Sequence, residues 1–82
     1  MEHKEIEDVI EVLSDLKDDI AVPKNVRSKI ENTIKILDTD IDTQIKISKV
    51  LHELEDISND TNLQQYTRTQ IWNVVSTLEK IK

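Results

Sequence analysis

The side chains best equipped for chemistry in this 82-residue chain are two histidines, His3 and His52, and seventeen carboxylates; cysteine is absent. A di-metal centre inside a helical bundle takes Glu-x-x-His on two helices. Three positions before His52 stands Lys49, and neither histidine has a second ligand at helical spacing. The run Asp38-Thr39-Asp40-Ile41-Asp42 opens like a calcium-binding loop, yet its sixth position is Thr43 where the sharp turn wants glycine. Its twelfth is Lys49 where a bidentate glutamate belongs. The same acids complement the dipole at the start of a following helix, which is the reading preferred here. Glycine is absent throughout, which removes phosphate-cradling loops and the Gly-x-Ser-x-Gly elbow of serine hydrolases. The expectation is a protein that is not an enzyme, with no metal, no cofactor and no small-molecule ligand.

Three other sets of residues stand out. Arg27 and Arg68 occupy equivalent places near the starts of two helices, where a cation opposes the helix dipole and calls for an acidic partner. Asp19 and Asp60, eight residues upstream in each case, are the candidates for structural pins between connection and helix. Trp72 points about 125° away from the apolar stripe of its helix, at 100° per residue. Ile41 and Ile45 likewise lie off the stripe of theirs. These three either cover a second seam of the fold, the commoner outcome, or form a partner surface. Finally, residues 2–19 carry eight acids against Lys4 and Lys17, so the whole net charge of −6 sits in the first helix. That face repels phosphate backbones, so no direct nucleic-acid binding is expected; it is a solvated face or one suited to a basic protein surface.

The elements that hold these residues follow from apolar periodicity. Ile6, Val9, Ile10, Leu13, Leu16 and Ile20 recur at three- and four-residue steps, predicting a first helix over about 2–18. Pro23 lacks an amide donor and suits a helix opening, so a second helix begins after it with Val26, Ile30, Thr33, Ile34 and Leu37 on its stripe. Asp38-Thr39-Asp40 stops it, and Thr39 with Asp42 resembles a weak capping box for a third helix. That helix carries Ile47, Val50, Leu51, Leu54 and Ile57. Asn59-Asp60-Thr61-Asn62 is a polar turn, and a fourth helix carries Ile71, Val74, Val75, Leu78 and Ile81.

A shift of 41 residues superimposes the two halves without a gap. Ile6, Val9, Leu13, Asp15, Asp19, Arg27, Ile30, Asn32 and Leu37 fall on identical residues at 47, 50, 54, 56, 60, 68, 71, 73 and 78. Stripe positions match in any two aliphatic helices; the polar pairs Asp19/Asp60, Arg27/Arg68 and Asn32/Asn73 carry the argument. The chain is therefore expected to be all-α, a four-helix bundle of two duplicated helix hairpins, about 2–38 and 40–81, in one domain. A two-repeat solenoid is less satisfactory because its ends stay open.

Val22-Pro23-Lys24-Asn25-Val26-Arg27, and the stretch from Ile57-Ser58-Asn59-Asp60 to Arg68-Thr69-Gln70-Ile71-Trp72 with a distal Leu78-Glu79, resemble short archaeal proteins of uncharacterised protein family one-four-seven. The likeness covers nearly the whole chain. Prolines usual in that family stand here as Thr61 and Gln64. The resemblance implies an archaeal cytoplasmic helical bundle with no established activity.

No apolar run approaches the roughly 18 residues of a membrane span, and the acidic N-terminus lacks a signal core. A cytoplasmic protein is expected, so the sequon Asn59-Asp60-Thr61 carries no weight. The functional expectation is a protein–protein interaction or self-associating module, with an acidic accessory subunit docking on a basic ribonucleoprotein or protein surface as the alternative.

Overall fold

The computed structural model describes residues 4–81, in four helices: α1 (Lys4–Lys17), α2 (Lys24–Leu37), α3 (Thr43–Ser58) and α4 (Gln65–Ile81). Each helix packs on the next, α4 returns to α1, and the backbones of the diagonal pairs stay apart. The molecule measures 35 × 19 × 18 Å, one helix long and two helices wide. That closure distinguishes a four-helix bundle from an open stack. Among the described residues no strand occurs.

Each helix contributes its predicted stripe to one core. Ile6, Val9, Leu13, Leu16, Val22, Val26, Ile30, Thr33 and Leu37 are buried. So is the residue 41 positions after each of them: Ile47, Val50, Leu54, Ile57, Leu63, Thr67, Ile71, Val74 and Leu78. Leu51 alone is buried without a buried counterpart. Two positions exchange valine for threonine across this register, Val26 with Thr67 and Thr33 with Val74, which keeps the shape of the packing unit. The Thr33 hydroxyl donates to the Lys29 carbonyl at 2.9 Å, so its burial leaves no orphaned donor.

A chain without glycine lacks the residue that takes a left-handed helix cap at least cost. Among the described residues none has positive φ. Helices α2 and α3 end on Asp38 and Asn59, both right-handed at φ −86° and −84°. The last turns tighten to i→i+3 bonds, Thr39 N to Ile36 O at 3.1 Å and Asp60 N to Ile57 O at 3.0 Å. Lys46 adds its ammonium to the open carbonyls of Leu37 and Thr39, a cation at the negative end of α2.

Two local expectations need correction. Ile20 is 90% exposed and not on the core stripe, because α1 ends at Lys17 and the chain turns before Ile20 can face inward. The cap of α3 is Asp42 and not Thr39: its carboxylate accepts from Gln44 N at 3.1 Å and Ile45 N at 3.3 Å. The start of α1 at Glu2 and the residue His3 lie outside the described residues.

Candidate functional site

The connections that follow α1 and α3 fold alike. Asp19 Oδ1 accepts from Ala21 N at 2.9 Å, and Asp60 Oδ1 accepts from Asn62 N at 2.8 Å. Each short side chain bonds the backbone two residues on and replaces a turn glycine. Val22 N and Leu63 N then donate to the carbonyls of the same two aspartates, at 3.1 and 3.2 Å.

The expected ion pairs of Asp19 with Arg27 and Asp60 with Arg68 are not what holds these arginines. Their guanidinium groups donate to backbone carbonyls of the connection. Arg68 reaches Ser58 O through Nε at 3.2 Å and Asp60 O through an Nη at 2.9 Å. Arg27 reaches Val22 O at 3.2 Å, and its Nε is buried with no acceptor. The physical reason is that the carboxylates are already engaged, Asp19 by its own loop and Asp60 by its own loop and by Asn25, so the guanidinium groups take main-chain oxygens instead. A charged donor on a neutral carbonyl still outweighs a neutral pair.

Asn25 and Lys29, which spacing does not single out, tie the first hairpin to the second. Asn25 Nδ2 donates to Asp60 Oδ2 at 3.1 Å, and Lys29 meets Asp56 at 2.6 Å, both across the α2–α3 seam. The amide of Asn62, then the side chain of Asn25, hold the Asp60 carboxyl below its usual range. The hydrogen bond to Asp56, with its charge, raises the Lys29 ammonium. Asn25 and Lys29 lack counterparts at 66 and 70, which are Tyr66 and Gln70. A signal existed in that broken symmetry, but it does not say which element lies opposite.

The three residues singled out as a partner surface stand exposed, Trp72 at 54%, Ile41 at 41% and Ile45 at 53%. The expectation of the commoner outcome, that they seal a second seam, is thereby corrected. They do not form one cluster. Ile45 and Lys49 share the outer, α2-facing quarter of α3, and a groove there of about 360 Å³ is lined by Ile36, Ser48, Lys49, His52 and Glu53. Ile41 stands in the connection at the same end. Trp72 lies on the outer side of α4, beside the α3 seam and nearer Val75 and Arg68 by helical angle. Tyr66 is exposed as well.

The remaining chemistry is sparse. A groove of about 190 Å³ between α1 and α2 is lined by Lys17, Lys24, Arg27, Ser28 and Glu31. Another of about 90 Å³ between α1 and α4 is lined by Asp8, Val9, Val12, Gln70, Asn73, Val74 and Thr77. Among the described residues no three of His, Cys, Asp and Glu are grouped as metal ligands, and no helix is long and apolar enough to cross a membrane.

Comparison with known proteins agrees with this arrangement along the full chain. The crystal structure of the unknown function protein MMP1188 is similar at a TM-score of 0.93 and 31% identity, covering 100% of this chain and 94% of that one. The crystal structure of a UPF0147 protein from Thermoplasma acidophilum superimposes at 0.92 with 28% identity, covering 98% and 95%. A UPF0147 protein of Archaeoglobus fulgidus is 38% identical over 81 residues, 99% of this chain and 93% of its own length. One from Thermococcus kodakarensis is 35% identical over 79 residues, 94% and 95% of the two chains. The family described as Uncharacterised protein family (UPF0147) matches residues 1–81, and with relatives this similar across almost their whole length, the chain belongs to it.

Proposed function

We propose that this protein is a non-enzymatic cytoplasmic docking module built from two copies of one hairpin, with a protein partner held at Trp72. The observation that supports the reading is a mismatch between burial and residue type. Among the described residues seventeen aliphatic side chains are buried in the core, yet the sole tryptophan remains half in solvent on a helix whose core face is taken by Ile71, Val74 and Leu78. A large indole left outside a finished core has no stabilising task there, and tryptophan is enriched among the residues that dominate protein interfaces. No cofactor, small molecule, nucleic acid or membrane enters this reading.

The test is a comparison of wild-type protein with Trp72→Ala in affinity purification from the native cell. The expected result is a specific partner lost with the variant while helicity and melting stay close to wild type. An unchanged set of retained proteins refutes the reading.

A second reading is favoured by the α1–α4 face. Asp8 there looks across at Gln70, Asn73 and Thr77, none of them a cation, and Glu11 and Asp15 are exposed alongside. Acidic charge with no ion-pair partner among the described residues suits docking on a basic protein or ribonucleoprotein surface. Such binding weakens as salt screens it; an association indifferent to salt sinks this reading.

A further inference from the structure

The α1–α2 groove gathers cations in a chain whose net charge is −6. Lys24, Arg27, Ser28 and Glu31 stand at three- and four-residue steps along one face of α2, and Lys17, the last residue of α1, lines the other side. Three cations against one carboxylate leave an excess of two positive charges. Among the described residues none of the three is in an ion pair, and the carboxylate of Asp19 is taken by its own loop. Lys17 and Arg27 are half-buried, so water and salt screen their mutual repulsion less than on an open surface. The first turn of α2 carries no acid and Pro23 supplies no side-chain cap, so the positive end of the helix adds to the same field.

The 41-residue register sets this cluster apart from the hairpin itself. The equivalents of Lys17, Lys24 and Glu31 are Ser58, Gln65 and Trp72, so only the arginine recurs. Arg68 spends its Nε on Ser58 O and an Nη on Asp60 O. Arg27 makes a single bond, through an Nη to Val22 O at 3.2 Å, and its Nε has no acceptor. A guanidinium carries five N–H donors in a rigid fork that matches a phosphate. The first hairpin thus places two lysines around an arginine with donors to spare, and the second does not.

We infer that the α1–α2 groove binds the phosphate group of a small free ligand, held by Lys17, Lys24, Arg27 and the Ser28 hydroxyl. This goes beyond the docking reading and uses a different surface from Trp72. The excess of two positive charges matches the charge of about −1.5 to −2 on a phosphate monoester near pH 7. With glycine absent, the grip comes from side chains and not from a backbone loop. At about 190 Å³ the groove is smaller than the roughly 300–1,000 Å³ of sites that enclose a drug-sized molecule, so it takes the phosphate and leaves the rest of the ligand in solvent. A nucleic-acid strand is disfavoured, because the acids crowded into residues 2–19 repel a run of phosphates laid beside Lys17.

Titration of the full chain with inorganic phosphate, followed by backbone-amide and arginine side-chain NMR shifts at constant ionic strength, tests this. The expected result is a saturable shift centred on Lys17, Lys24, Arg27 and Ser28. Glycerol phosphate should reproduce it, which assigns the site to the phosphate group whether free or esterified, and chloride should not. The double substitution Lys17→Gln with Lys24→Gln leaves the core untouched and is expected to bind phosphate at least tenfold more weakly, with helicity by circular dichroism unchanged. Trp72→Ala should bind phosphate like wild type, which separates failure here from failure of the Trp72 reading. Shifts that never saturate or that chloride reproduces overturn the inference, as does a double variant that binds as tightly as wild type. A single-stranded RNA that binds where free phosphate does not overturns it as well.

Discussion

Adjacent residues on α4 offer the sharpest test of how the bundle divides core from surface. Ile71 is fully buried and Trp72 is 54% exposed, so alanine at each should have opposite consequences despite the larger group being the tryptophan. Ile71→Ala removes three carbon groups worth about 0.8 kcal/mol each in transfer alone. The cavity left among aliphatic neighbours brings the loss to about 3 kcal/mol or more. In a domain this small each kilocalorie moves the melting midpoint by roughly 4–8 °C, so the variant should melt about 12–24 °C lower. Trp72→Ala gives up partial contact along the surface of α4, and alanine's higher helix propensity offsets part of it. Its expected cost is about 1 kcal/mol or less, in line with substitutions away from the core. Urea unfolding followed by circular dichroism, in dilute protein at high salt, measures both. The wild-type fluorescence should be solvent-exposed in character and readily quenched. A Trp72→Ala variant as unstable as Ile71→Ala, or an indole shielded from quencher in the monomer, refutes the division of surface from core.

Other consequences are as direct. Arg68→Ala removes two hydrogen bonds from a charged donor and should cost about 1–3 kcal/mol in urea titration, more than Arg27→Ala, whose group makes one. Asp42→Ala removes the cap of α3 and should lower stability by about 1 kcal/mol, with a small loss of helical ellipticity. The Asp60 carboxyl is held below its ordinary value of 3.8, so its contribution is present above that value and disappears as pH falls through the folded one. Asp60→Asn should therefore flatten the acid limb of the stability profile. For Lys29, raised above 10.5, the contribution is present below that value and is lost as pH rises through the folded one; Lys29→Met should flatten the alkaline limb.

Four helices, their stripes and the polar breaks between them were legible in the order of residues. Helical geometry puts positions three and four apart on one side, and only burial of that side holds a short helix in water. Ile6, Val9, Leu13 and Leu16 had no other arrangement available. The equivalence of Arg27 and Arg68 was legible too, as was the place where each acts. Their acceptors were not, since a carboxylate eight residues away and a backbone oxygen beside it differ only in how the loop turns.

What lay opposite what was decided by the tertiary structure alone. Lys29 meets Asp56, and Asn25 meets Asp60, because α2 runs back along α3; spacing within one helix is silent about its neighbour. Ile41 and Ile45 shared only their off-stripe position with Trp72; in the structure Ile41 stands in the α2–α3 connection, Ile45 on α3 and Trp72 on α4. Local periodicity tells each side chain whether to face inward or outward, whereas the identity of the face it joins depends on how the elements close around the core.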